Sequence, residues 1–391
     1  MMILWEPKLD EAAAAWKATA ANSAETFFGP SASQNDLNQE YSHTNVEELV
    51  KSGLAAMFVP KKYGGRGASL TATIAAIEEV SACCASTAAI MGVYQLGAFP
   101  ILLAGSESQK HHYLGELAEG RATSFALSER GAGSDAAGIE TTATEENNGW
   151  RIRGEKYWIG NGGVSKYYVV FAKHLEGQGI SAFLVEGHQP GVAVTEVVDK
   201  MGLRATQTSN LELDVWVPPD ALIGERGKGL RLASQTLNVG RLTVSAQATG
   251  LARTAYFEAS RRAVERNAFG KPLINHQGTG FKLADAATQL SAARLMLYEA
   301  AAAYDRGDSI EALAAMTKLF ASEVSHDVVD SAVQIWGGQG YCWPTPVERL
   351  YRDQRIIEIY EGSSEIQRMV LTRMINRQTI QHLSTIAVDK A

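Results

Sequence analysis

The sequence predicts an α+β protein in three parts: an N-terminal helical domain, a middle antiparallel, β-barrel-like domain and a C-terminal helical bundle. Three observations predict it. From about Leu9 to Glu119, alanine-rich stretches carry apolar residues at helical spacing. From about Ala122 to Arg231, short β-branched and aromatic runs alternate with Gly, Asn and Pro. After Gly229 the helical period returns and stays. The corresponding domains are 1–121, 122–231 and 232–391.

In the first part, "TATIAAIEEVSACCASTAAI" and "SQKHHYLGELAEG" read as helices, and "KKYGGRGAS" (61–69) as a loop. His111 and His112 are adjacent, so on a helix they point in different directions, and no metal site is read from them. In the middle part, "NNG" (147–149) is a hairpin-type turn leading into "WRIRGEKYWIG". The runs "YYVVFAK", "ISAFLVE", "GVAVTEV" and "NLELDVWVP" follow as strands. In the third part, Leu313, Met316, Phe320, Val324, Val328, Ala332 and Ile335 recur three or four apart. That stripe predicts one long helix whose apolar face is bundle core. His326 lies off it.

Composition narrows the function classes. Of 391 residues, 46% are hydrophobic and 20% charged, an ordinary globular profile. The net charge of −7 is spread without blocks, so neither a nucleic acid nor an anionic membrane is expected as a partner. Three cysteines, two of them neighbours, form no disulfide framework or CxxC pair, which suits a reducing compartment. The start "MMILWEPKLDEAAAA" has neither a secretory nor a transit-peptide pattern. No uncharged apolar stretch is read as approaching the roughly 20 residues that cross a bilayer. A cytoplasmic location is expected.

Four stretches carry possible chemistry. "GAGSD" (131–135) does not fit GxGxxG and opens no βαβ unit, but its small residues let backbone amides approach an anion such as a pyrophosphate. "ERNAFGKP" (265–272) reads as a helix that carries Arg266 and stops at Phe269-Gly270. Arg266 suits a phosphate and Phe269 a ring, although a solvated arginine beside an apolar cap is the commoner arrangement. "QIWGGQGY" (334–341) ends a helix with Gly337 and Gly338, where capping alone needs one glycine.

"RIIEIYEGSSEIQR" (355–368) holds Glu358, Glu361 and Glu365. Ser363 or Ser364 reads as the N-cap of a helix that continues through Ile366, Met369 and Val370. Glu361 then sits just outside a helix N-terminus, whose dipole favours its charge, while burial beside Tyr360 would disfavour it. A carboxylate held between those influences suits proton abstraction near neutral pH.

Taken together, "LSERGAGSDAAG" (127–138), "GEKYWIGNGG" (154–163), "ERNAFGKP…HQ" (265–277) and "QIWGGQGY…RIIEIYEGSSEIQR" (334–368) resemble the acyl-CoA dehydrogenase family, over nearly the whole chain. The resemblance implies a four-helix bundle as the last domain and FAD as cofactor. It implies that Glu361, in "YEG", removes the α-proton of an acyl-CoA thioester while hydride passes to flavin N5, and that the Glu361 N–H helps to polarise the thioester carbonyl. Other members carry their base at the position of Gly240, which here has no side chain.

Leu127 and Ser128 would bond the flavin edge, and Trp158, Ile159 and Gly160 would lie against it. Gly133 and Ser134 would approach the cofactor, Ser134 meeting CoA as well. Arg266, Phe269, Gln277, Gln334, Gly337 and Gly338 match positions that hold adenosine and pyrophosphate, partly across a subunit boundary. Ser363 and Glu365 fall at the cofactor's end of the last helix, although Glu358 and Glu365 otherwise read as structural. Asn238 and Arg241 match positions near CoA, and Tyr360 and Gly362 adjoin the substrate. An electron-transfer flavoprotein as acceptor and a homo-oligomer built as a dimer of dimers are implied.

The chain departs from the family pattern twice. Gly160 replaces the usual Thr or Ser, and Arg130 the usual Pro. Loss of the hydroxyl is expected to open space beside the flavin, which motivates an alternative: an oxidase or oxygenase using O2 on the same fold. "GVYQLGAFP" (92–100) lines the acyl pocket in the family. Tyr94 and Gln95 there suggest a short, branched, cyclic or functionalised acyl group.

Overall fold

Residues 3–175, 177 and 179–389 are described by a computed structural model of the chain. The leading Met1 and Met2 of the start considered above, and the last two residues of the C-terminal part, lie outside them. The helical first part comprises α1 (Glu11–Ser23), α2 (Gly29–Asn38), α3 (His43–Lys51), α4 (Leu70–Cys83), α5 (Ala85–Ala104), α6 (Glu107–Gln109) and α7 (Gly115–Ala118). Side-chain caps start several of them: Asp10 accepts from Ala13 N at 2.7 Å, and Ser69 from Ala72 N at 3.1 Å.

Helix α5 corrects the sequence reading. Its twenty residues carry no charge and reach the length and hydropathy of a membrane span. Here it is a core helix: Ile90, Met91, Ala98 and Ile101 are wholly buried among protein side chains. His111 and His112 serve packing, edge-on to Tyr63 and Tyr113 respectively.

The middle part is an eight-stranded sheet: β1 (Thr123–Ala126), β2 (Thr142–Glu146), β3 (Gly149–Gly160), β4 (Tyr167–His174), β5 (Ile180–Glu186), β6 (Val192–Val197), β7 (Thr208–Val217) and β8 (Leu222–Ile223). The order is β6-β7-β3-β2-β4-β5-β8, with β1 beside β4. Asn147 and Asn148 both have positive φ and close the β2–β3 hairpin, as the "NNG" signal requires. The sheet is mixed rather than purely antiparallel, because β1 and β2 each run parallel to β4. The long connection from β1 to β4 provides the crossover that a parallel pair needs. A register shift in the β3–β7 ladder falls between Lys156 and Ile159, and Trp158 there has φ +58°. The bulge turns Trp158 outward.

The third part contains α8 (Gly229–Glu265), α9 (Gln277–Asp305), α10 (Glu311–Trp336), α11 (Pro346–Gln354) and α12 (Ser364–Asp389). The long helices α8, α9, α10 and α12 form the expected bundle, and α8 also packs on α4 and α5. A buried ionic cluster fixes that junction. Arg294 on α9 is fully buried and its Nε donates to Glu78 Oε1 on α4 at 2.8 Å, while Tyr298 donates to Glu78 Oε2 at 2.9 Å. Burial alone would raise the Glu78 pKa, but Arg294 and Arg253 hold it well down, to about 2.

The apolar stripe of α10 holds only in its second half. Val324, Val328, Ala332 and Ile335 are buried, but Met316 is exposed and Phe320 half-buried. Thr317, Lys318, Ser322 and Ser325 occupy the interior instead. The first half of α10 therefore presents a polar face inward, toward the segment that carries Glu361.

Candidate active site

The approach to α12 brings the central carboxylate into place. Ser363 caps the helix, its Oγ accepting weakly from Ile366 N at 3.5 Å, so Glu361 lies just before the N-terminus as expected. Glu361 and Gly362 are consecutive left-handed residues, with φ +54° and +90°. A β-carbon on Gly362 would stand 2.6 Å from Gln367 Nε2, so this turn needs its glycine. The turn aims the Glu361 carboxylate at Gly240 on α8. Gly240 faces it with bare backbone, and Leu96 of α5 closes the same spot.

Glu361 Oε2 is buried without a hydrogen-bond partner among the described residues. Burial pushes the carboxyl up to about 7, against the lowering influence of Arg241 and Lys318. The other two glutamates differ from it. Glu358 pairs with Arg355 at 2.7 Å, and Glu365 is exposed in the first turn of α12. Tyr360 donates to Gln247 Oε1, and burial holds its hydroxyl in the neutral form.

Arg241, read as a neighbour of CoA, is buried with its Nη1 donating to Asn238 Oδ1 at 2.6 Å. Its charge acts inward on Glu361. Tyr94, by contrast, points away from the Glu361 cleft. Its hydroxyl donates to Gly120 O at 3.0 Å, on the far side of α5 from Gly92, Val93 and Leu96. Gln95 is buried with its amide unpartnered.

Around β3 the structure offers a surface for a planar ring. Trp158 is 53% exposed, and its backbone N–H donates to Asn210 Oδ1 at 3.1 Å. Ile159 beside it is buried. Leu127 is buried and Ser128 half-buried at the end of β1, while Gly131 and Gly133 have open space where a β-carbon would be. Ser134 is exposed on the same loop.

Gly160 overturns one expectation. A β-carbon there would meet Val93 Cγ2 at 2.8 Å, so α5 fills the room that the missing hydroxyl was expected to open. Arg130 leans over the Tyr157 ring, 5.3 Å from its centroid.

Beneath this surface lies a pair that the sequence reading passed over. Lys156 is fully buried, and its Nζ donates to Glu129 Oε1 at 2.7 Å and to Leu127 O at 3.1 Å. Burial lowers its pKa to about 8, against the opposing pull of Glu129. Strand alternation does place Lys156 on the inward side with Trp150 and Ile152, but its partner cannot be read locally.

The bundle's end holds the second group. Arg266, Phe269, Gln277, Gln334, Gly337 and Gly338 are all exposed, Phe269 at 97%. A β-carbon on Gly337 or Gly338 would meet nothing within 4 Å. The helix expected to carry Arg266 stops at Glu265 instead. Asn267–Ala268 and Lys271–Pro272 then pair as a small hairpin, with Phe269 and Gly270 at positive φ in its turn. Adjacent positive-φ residues favour a two-residue turn over a helix end.

The outward tryptophan and open glycine loops near β3, and the exposed phenylalanine and arginine on the bundle end, are two separate surfaces of the kind a flavin dinucleotide needs. With a buried carboxylate raised toward neutrality, these are features expected of a flavoprotein oxidoreductase. Comparison narrows the class. Family models match in order: acyl-CoA dehydrogenase N-terminal domain over residues 10–121, middle domain over 124–215 and C-terminal domain over 227–376. The mitochondrial short-chain specific acyl-CoA dehydrogenase of Homo sapiens is 43% identical over 359 residues, 90% of this chain and 87% of its own length.

Butyryl-CoA dehydrogenase from Megasphaera elsdenii superimposes with a TM-score of 0.92 at 36% identity, covering 95% of this chain and 100% of that one. A glutaryl-CoA dehydrogenase from Mycobacterium smegmatis, solved with FADH2, gives 0.89 at 27% identity over 94% and 95% of the two chains. The chain belongs to the acyl-CoA dehydrogenase family, FAD-dependent oxidoreductases that act on the CH–CH bond of acyl-CoA.

Proposed function

We propose that the protein dehydrogenates the α,β-bond of a short acyl-CoA thioester, with Glu361 as the base for the α-proton. The observation that carries this is the Glu361 carboxylate: buried at Oε2, unpartnered, raised toward neutrality and facing the bare backbone of Gly240. An unpartnered carboxylate of that pKa accepts a proton from carbon without first giving up a hydrogen bond. FAD, when bound, supplies the hydride acceptor. The Glu361 N–H polarises the thioester carbonyl, which lowers the cost of the charge that develops as the α-proton leaves.

Trp158 covers the flavin, Leu127 and Ser128 bond its edge, and Gly133 and Ser134 admit the phosphates. Arg266, Phe269, Gln277, Gln334, Gly337 and Gly338 hold the adenosine end, with Ser363 and Glu365 beside it. Their place on the bundle end, apart from β3, supports cofactor sites shared between subunits in a dimer of dimers. The exposed Phe281, Tyr341 and Trp343 on that part of the molecule support the same assembly. Leu96 narrows the space beside Glu361 and favours a short or compact acyl group.

An electron-transfer flavoprotein is the acceptor in this reading. The case for O2 rested on room at Gly160, which Val93 occupies. The free thiols Cys83, Cys84 and Cys342 suit a reducing, cytoplasmic setting.

The test is anaerobic mixing of the purified holoenzyme with short, branched and cyclic acyl-CoAs while the visible flavin band is followed. Bleaching by a short thioester, absent in Glu361→Gln despite unchanged binding, is the expected result. No bleaching by any of the panel, with a flavin that still reduces chemically, would overturn the proposal. Rapid oxygen uptake coupled to product would return the acceptor to O2.

A further inference from the structure

The polar interior of α10 poses a question that bundle packing does not answer. Lys318 is wholly buried, and its Nζ donates to Gly362 O at 2.8 Å. Burying an ammonium costs several kcal/mol, which a leucine or methionine would avoid. Burial lowers its pKa to about 8, and among the charges around it Glu361 comes first, ahead of Glu358, Arg241 and Glu365.

Gln367 Nε2 donates to the same Gly362 carbonyl at 2.7 Å and reaches Glu361 O at 3.3 Å. Both acceptor positions of Gly362 O are thereby used, one by a neutral amide and one by a cation. The clamped carbonyl belongs to the peptide after Gly362, one residue beyond Glu361, whose left-handed conformation is unfavourable for a non-glycine residue.

We propose that Lys318 is a positioning residue for Glu361, holding the Glu361–Gly362 turn through Gly362 O and setting an ammonium on the carboxylate's side of α10. The inference rests on the reading of Glu361 as the base. Two cations face that carboxylate, Arg241 from α8 and Lys318 from α10, with the Tyr360 hydroxyl on its own segment. Arg241 is committed to Asn238, so Lys318 is the cation tied to the turn itself. The two functions separate by substitution. Lys318→Gln keeps a donor and loses the charge, Lys318→Met loses both, and Lys318→Arg keeps both.

The experiment titrates the Glu361 carboxyl stretch in the FAD-loaded protein by infrared difference spectroscopy against Glu361→Gln. Lys318→Gln is expected to raise the midpoint by about one unit, the lower end of what a close opposite charge contributes. With the parent midpoint about 7, kcat/KM at pH 7 then falls roughly fivefold and recovers by pH 9. Lys318→Met shows the same rise together with a lower plateau, and Lys318→Arg restores both. An unmoved midpoint in a Lys318→Gln protein that holds FAD and melts cooperatively would overturn the proposal.

If the neutral variants fail to fold, the reciprocal shift decides. Glu361→Gln must then lower the pH at which Lys318 loses its proton, read by NMR of isotopically labelled lysines, and no change refutes the coupling. The infrared titration needs no substrate. A failure of the proposed activity is thus distinguishable from a failure of this inference.

Discussion

A β-carbon on Gly240 would stand 2.6 Å from Oε2 of Glu361 and 3.1 Å from Leu96 Cδ1. The absent side chain on α8 is what gives the carboxylate its place. Gly240→Ala is expected to leave folding and FAD content intact, because the glycine is helical and the α8 backbone accepts alanine. The displaced carboxylate should lose roughly a hundredfold in kcat, the scale of a 1 Å misplacement. Flavin reduction by stopped flow checks it.

The pH dependence follows from the same carboxyl. Its folded pKa, about 7, lies above the ordinary 4.5. The group therefore supports the folded state below about pH 4.5 and loses that support as pH rises through 7. Glu361→Gln should melt like the parent in acid and above it at pH 8. In the parent, kcat/KM should rise with pH around a midpoint near 7. Differential scanning calorimetry and initial rates across pH 5–9 read the two effects.

Gly160 and Val93 form a complementary pair across two domains. Gly160→Thr should overpack against Val93 at a cost of about 1–3 kcal/mol, weakening FAD retention by roughly 5–150-fold. Adding Val93→Gly should recover most of it. Fluorescence titration of the apoprotein with FAD measures both, and oxygen uptake by the single Val93→Gly variant shows whether Val93 also shields the flavin.

The Glu78–Arg294 pair gives a prediction about stability alone. Arg294→Met leaves the buried Glu78 with Arg253 and Tyr298 as its partners and should destabilise the protein by about 3 kcal/mol, whereas replacing both Glu78 and Arg294 with apolar residues should cost less. Thermal melting of the single and double variants separates the outcomes.

Local signals were legible. Asn147-Asn148-Gly149 prescribed its hairpin, Ser363 its cap and the Val324–Ile335 half of α10 its buried face. Glu361 was legible as a candidate because glycine and serine around it mark a turn before a helix. What could not be read were partners distant in sequence. Nothing around Gly160 names Val93, and nothing around Lys318 names Gly362. A lysine in an apolar stripe reads as solvated surface until the opposing carbonyl is seen. The burial of Arg241 was unreadable for the same reason, since neighbouring helices impose it. The exit at Glu265 was missed because Phe269-Gly270 suits a helix end and a tight hairpin equally.

The neutral helix α5 has a consequence for how the chain is made. Its main helical cover, α8, is completed roughly 160 residues after α5 itself. At the usual pace of synthesis, about 5–20 residues per second, the segment leaves the ribosome some ten to thirty seconds before that cover exists. For that interval it offers the same twenty uncharged residues that a membrane-targeting factor selects. Until then α4, already made, is the helix the chain itself can lay against α5.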